Sequence, residues 1–266
     1  VVMGPLSSVG LDPSTVRVRN VTATGFEWQI DEYEYKDGAH TTETVTFLAI
    51  EPGVHSVAGL VFEAGRQNVG AGFSTVTLAG THPEAPVVFS QAETAVNEVS
   101  LDDSISLMTR MRNVSTTSFE IQLQDQEVNT AALLQESVGY IAITPGQGYL
   151  DGRPFAVLNT ADEITDSYTT VDFGGLLRNA GILANQQTRD GGDPCRVRVD
   201  NLTDTSVDIW LEEEASNDLK EFGVDSDSPD LFSSENENSS PEDLLSSNEE
   251  EDDDLEIPAF LRRQKN

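Results

Sequence analysis

Apolar and polar residues alternate along short stretches of this chain. In Val16-Arg17-Val18-Arg19 every second residue is apolar, the pattern of a strand with one buried face. Asn20 to Gly25 is rich in Asn, Thr and Gly, a turn composition. Phe26, Trp28 and Ile30 then alternate with Glu27, Gln29 and Asp31, which predicts a second strand. Val45 to Ile50 reads as a more fully buried strand, stopped by Pro52-Gly53, and Phe73 to Leu78 and Pro86 to Phe89 supply two more. No window of helical length carries a 3.6-residue apolar period. Short strands with frequent turn signals predict an all-β chain of antiparallel sandwiches or barrels.

The pattern repeats. Asn20-Val21-Thr22 leading to Phe26-Glu27-Trp28-Gln29-Ile30 returns as Asn113-Val114-Ser115 leading to Phe119-Glu120-Ile121-Gln122-Leu123, an offset of 93. The register holds downstream: Glu43-Thr44-Val45 falls on Glu136-Ser137-Val138, and Pro52-Gly53 on Pro145-Gly146. A third copy runs from Arg196-Val197-Arg198-Val199 through Asn201-Leu202-Thr203 to Val207-Asp208-Ile209-Trp210-Leu211. Such self-similarity marks a tandem array. We expect a partial first repeat over 1–60, a complete one over 70–150 and a truncated third over 168–214.

Phe73, Pro86-Val87-Val88-Phe89, Arg110-Met111-Arg112-Asn113-Val114-Ser115, Phe119, Glu136 and Tyr140-Ile141-Ala142-Ile143 together resemble an H-type lectin domain. The nearest likeness is to lectin-like repeats of large bacterial extracellular proteins. The resemblance implies tandem six-stranded antiparallel β-sandwiches, trimer formation, and sugar binding through loops and strand ends. It implies a glycan or cell-surface component as partner and ligand-facing roles for Arg110, Arg112, Glu136, Tyr140, Tyr149 and Asp151.

After Glu214 the composition changes. Residues 215–266 hold sixteen acidic and four basic residues, a net charge of −12, with Ser, Asn and Pro throughout. So little apolar surface cannot offset chain entropy, which predicts a disordered acidic linker over 215–254. Residues 255–266 differ. Leu255, Ile257, Phe260 and Leu261 can fill a partner groove, Pro258 preorganises a turn, and Arg262 and Arg263 steer towards acid. This peptide resembles the C-terminal peptide of the bacterial division protein FtsZ, which implies division-ring partners and a cytoplasmic setting. No Gly-rich phosphate loop accompanies it, so GTP chemistry is not implied. An extracellular repeat and a cytoplasmic peptide conflict, so we expect a junction near 214–220.

Composition narrows the chemistry. Among 266 residues the formal net charge is −32, which disfavours nucleic acid and anionic lipid. No apolar run approaches the roughly 20 residues of a membrane helix, so no membrane insertion is expected. The chain starts at Val1 without a basic-then-apolar leader, which suggests a fragment of a longer polypeptide. Cys195 is the only cysteine, excluding an internal disulfide, and reads as a small strand-edge residue. A zinc site from His40, His55 and Glu43 is weakened by Leu133, which stands where the second repeat would need His40. Asp31-Glu32-Tyr33-Glu34 and Asp102-Asp103 lack the spacing of a calcium loop and read as solvated strand ends. No nucleophile elbow is present, so no enzyme, metal or cofactor is expected. Arg17/Arg19, Arg110/Arg112 and Arg196/Arg198 recur in every repeat and read as a solvent face paired with Glu27 and Glu120. Asn20, Asn113 and Asn201 fit both a glycosylation signal and a recurrent turn, and the turn is favoured. The sequence thus points to a non-catalytic, lectin-like adhesion protein, with a division-ring interactor and a ligand-free stalk as alternatives.

Overall fold

The computed structural model describes residues 1–214 apart from 11, 34, 37, 99–104 and 128. The acidic linker, the docking peptide Leu255–Arg263, the junction and the Asp102-Asp103 pair lie outside the described residues. Within them the chain is all-β and antiparallel, with sixteen strands and no helix. No described helix is therefore long and apolar enough to cross a membrane.

The repeat read from sequence is a repeat of strands. The first copy contains β1 (Val2–Met3), β2 (Ser14–Arg19), β3 (Glu27–Glu32), β4 (Phe47–Leu48), β5 (Gly53–Val57), β6 (Leu60–Val69) and β7 (Ser74–Thr77). The second contains β8 (Val87–Ala92), β9 (Leu107–Arg112), β10 (Ser118–Asp125), β11 (Glu136–Ile143), β12 (Gly146–Leu150), β13 (Arg153–Val157) and β14 (Thr169–Asp172). The third copy contributes β15 (Cys195–Asp200) and β16 (Ser206–Glu213). Strands β2, β5 and β6 begin 93 residues before β9, β12 and β13.

Each repeat centres on one hairpin: β2–β3, β9–β10 and β15–β16. Its turn opens on an Asn in the left-handed region, with φ of 53° at Asn20, 53° at Asn113 and 50° at Asn201. Asn tolerates this conformation better than other residues bearing a Cβ. The amide then donates to the acid across the turn, Glu27 at 2.8 Å, Glu120 at 3.0 Å and Asp208 at 2.8 Å. The turn accounts for all three asparagines. Asn113→Ala is expected to lower stability by about 1 kcal/mol in urea denaturation, and Asn113→Gly by less, because only the former forces a Cβ into this region. Equal losses would show that the amide bond matters and the backbone does not.

Both layers are present between Leu60 and Ile143. Sheet β7-β10-β9 faces the β6-β11-β8 part of a four-stranded sheet whose edge is β5. Their shared core joins Phe119, Ile121 and Leu123 of β10 to Val138, Tyr140 and Ala142 of β11. The intervening Ile141 and Ile143 face the other way, into a second core with Val2, Phe62 and Phe89 that Leu48, Phe155 and Val157 help to cover. Strand β11 is thus buried on both faces, which explains its unbroken apolar run. A third core forms around Phe173, Val199 and Val207, beneath sheet β14-β16-β15. The middle sandwich shares its central sheet with its neighbours and is not a self-contained bead.

Candidate functional site

The recurrent arginines split: Arg112 is exposed and pairs with Glu120, and Arg19 reaches Glu27 at 3.6 Å, as the solvent-face reading has it, whereas the others turn inward. Counted back from the turn asparagines, Arg17, Arg110 and Arg198 share one place, and all three are buried. The third copy is shifted against the sequence reading: Arg198, not Arg196, matches Arg17, and Asp200 takes the place of Arg19 and Arg112. Each of the three reaches the segment that enters the arginine strand of the next repeat. Arg17 donates to Glu98 (2.8 Å), to the Thr94 carbonyl (3.4 Å) and to Glu136 (3.1 Å). Arg110 donates to the Asp193 carbonyl at 2.9 Å and to Cys195 Sγ at 3.0 Å. Arg198 donates back to the Gly10 carbonyl of the first repeat at 2.8 Å. First binds second, second binds third, and third binds first, so the three hairpins close a ring. Strand alternation correctly places these side chains away from their own hairpin core. It does not reveal that protein, and not water, lies there.

The first seam is the most highly charged. Arg17 lies within salt-bridge distance of Asp31, Glu98 and Glu136, while Arg19 also pairs with Glu98 at 2.9 Å. Burial alone would raise the Glu136 pKa, but the Arg17 charge and hydrogen bonds from Asn97, Thr94 and Arg17 more than offset it and leave it below the usual range. Burial opposes the Arg17 charge too, and the Glu136 and Glu98 carboxylates overcome that and raise its pKa.

One turn outward, at the seam of the second and third repeats, the surface opens. Arg112 is exposed and pairs with Glu120 at 2.6 Å, and its guanidinium lies 3.8 Å from the Phe73 ring centre. Arg189, from the segment before β15, lies 5.7 Å from the same ring. With the Gln122 amide donating to the Ala71 carbonyl at 3.3 Å, Arg189 donates to its oxygen at 2.9 Å. Hydrogen bonding from Arg112 and Asn113 lowers the pKa of Glu120. The third repeat carries a related feature. Tyr168 precedes β14 as Phe73 precedes β7, and its ring meets Trp210 at 4.4 Å. Tyr168 is 62% exposed.

The six residues proposed from sequence do not gather. Arg110 and Glu136 are spent in the ring seams. Tyr140 is buried and donates to Glu63 at 3.2 Å, and burial together with that carboxylate pushes its pKa up to about 12. Tyr149 is 71% exposed beside the β12–β13 turn, where Asp151 sits at φ 49°. Arg112 alone meets an aromatic and a second cation. Phe73 and Trp210 enter the sequence reading as strand residues and not as site residues, and Arg189 and Tyr168 do not enter it, although Phe73-Ser74-Thr75-Val76 echoes Tyr168-Thr169-Thr170-Val171. His40 contacts Glu32 at 2.8 Å and Glu43 at 3.3 Å, whereas His55 contacts the Glu51 carbonyl. Among the described residues no three His, Cys, Asp or Glu side chains converge as a metal site.

No protein-family model and no solved structure matches the chain, so both resemblances rest on the residues quoted for them. The chain is similar to halomucin of Haloquadratum walsbyi, with 29% identity over 209 residues that cover 74% of this chain. It spans about 2% of the length of that curated relative.

Proposed function

We propose that this chain is a non-catalytic recognition segment of a repetitive surface protein, and that it holds an acidic glycan at the Phe73–Arg112–Arg189 seam. The likeness to halomucin supports an extracellular or cell-surface setting. The observation that carries the ligand reading is the placement of two guanidinium groups against one half-exposed ring. Phe73 holds the Arg112 guanidinium flat against its ring, and a carboxylate or sulfate of the glycan pairs with Arg112 and Arg189. The acidity of the rest of the chain is no obstacle in concentrated salt, where the screening length falls to about 3 Å at 1 M and only contacting charges count. Trimer formation, expected from the lectin resemblance, is met in this reading by three repeats of one chain, and repetition supplies avidity.

The test is a glycan array probed with the whole chain and with Arg112→Ala/Arg189→Ala. The expected result is retention on carboxylated or sulfated glycans and at least a tenfold loss in the double variant, at an unchanged melting temperature. Retention on no glycan, or a variant that binds as well as the parent, would overturn the reading. A second reading, docking of bacterial division proteins, is favoured by the Ile257–Arg263 run alone. Pull-down with and without that run tests it, and an unchanged set of captured proteins removes it.

A further inference from the structure

We propose that the cavity at the centre of the ring binds a small monovalent anion, chloride in the first instance. The cavity measures about 120 Å³ and is walled by Ser14–Val16 of β2, Leu107–Thr109 of β9 and Cys195–Arg198 of β15. These are equivalent stretches of the three repeats, so the cavity follows from ring closure. It has room for an ion and several waters.

The charge around it does not balance. Arg196 and Arg198 both line the cavity, and among the described residues Glu212 is the one carboxylate that pairs with them, with Arg196 Nε at 2.7 Å and Arg198 Nε at 3.9 Å. Arg196 has its remaining donors engaged by Ser14 Oγ (2.9 Å) and the Asp12 carbonyl (3.3 Å). Arg198 does not. Its Nη2 is spent on the Gly10 carbonyl, while Nε and Nη1 are buried with no hydrogen-bond partner among the described residues. Thr15 Oγ1, on the facing wall, is also buried and unpartnered.

Buried guanidinium nitrogens without a hydrogen-bond partner occur at the equivalents too, Arg17 Nη1 and Arg110 Nε, but neither of those residues lines the cavity. Arg17 has three carboxylates within reach in the same ring position. Arg198 has a share of one, at the limit of an ion pair. Buried guanidinium N–H groups left without acceptors are costly, and a water would accept from them without neutralising them. An anion does both. One net positive charge suits a monovalent ion better than sulfate, which would leave the cavity negative.

Crystals of the chain soaked in sodium bromide and measured at the bromine absorption edge give a direct test. An anomalous peak in contact with Arg198 Nη1 is the expected result. Water alone in the cavity, with bromide only on the outer surface, overturns the proposal. Melting of the parent in sodium chloride, sodium bromide and sodium gluconate at equal ionic strength is the matching solution test. Both halides are expected to raise Tm above gluconate by mass action, with a smaller gain in Thr15→Val. A cavity peak with no halide dependence in solution marks an adventitious ion only and overturns the proposal as well.

Discussion

Arg17→Met is expected to lower the stability of the folded chain by about 3–5 kcal/mol, read as a shift in the urea midpoint at neutral pH. The size follows from what is left behind. Arg17 is the cation shared by Asp31, Glu98 and Glu136, all with side chains at most 4% exposed. Removing it leaves Glu98 and Glu136 buried without that cation, and of these two Glu98 keeps a second one, Arg19. Replacing both members of the closest-buried pair, as Arg17→Met/Glu136→Leu, is expected to cost less than Arg17→Met, because one stranded charge goes with its partner. A midpoint close to that of the parent for Arg17→Met would show that water enters the seam.

The same pair fixes the sign of an acid effect. The Glu136 pKa is depressed in the folded state, so its contribution to stability is present above the ordinary glutamate pKa of about 4.3. It is lost as pH falls through the folded value. Without Arg17 burial raises the Glu136 pKa, so the difference in stability between the parent and Arg17→Met is expected to be largest where that carboxylate is ionised in both and to shrink with falling pH from above the ordinary glutamate pKa of about 4.3. A difference that grows in acid would reverse the assignment.

How far the sequence reveals this arrangement depends on the range of the interaction. The hairpins are legible because period-two alternation and an Asn-led turn are local properties of residues 14–32, 107–125 and 195–213. The 93-residue register carries β5 onto β12 and β6 onto β13 without help from the structure. The partner of a strand is not local. Strand β6 leaves a hairpin with β5 and runs along β11 from Phe62↔Ile143 to Val69↔Glu136, a choice set by which sheet needs covering. The outward arginines fail for the same reason: alternation gives a direction, and the adjacent repeat decides whether that direction is wet. Arg112 enters as a ligand-facing residue through the lectin resemblance, while its recurrence suggests only a solvent face. Phe73 and Arg189 come from separate segments, and nothing periodic near Arg189 draws attention to it.

Phe119→Ala in the middle repeat is expected to cost about 3–5 kcal/mol, whereas Phe26→Ala at the equivalent place of the first repeat should cost far less. Phe119 is fully buried between two sheets and meets Tyr140 edge to face at 5.4 Å. Its loss opens a cavity that the surrounding strands cannot refill, since β11 is held from its other face by Ile141 and Ile143. Phe26 is half-buried and packs at 5.2 Å against Phe47, itself 55% exposed. Among the described strands the first hairpin, β2–β3, forms a two-stranded sheet of its own, whereas β10 lies in a three-stranded sheet with β7 and β9. The two positions share a sequence and a register, and differ in what lies above them. Because the sheets are shared and the ring is closed, Phe119→Ala is expected to move a single unfolding transition of residues 1–214 and not to split off the middle repeat. Two resolved calorimetric transitions, or equal costs at positions 26 and 119, would mean that each repeat carries its own stability.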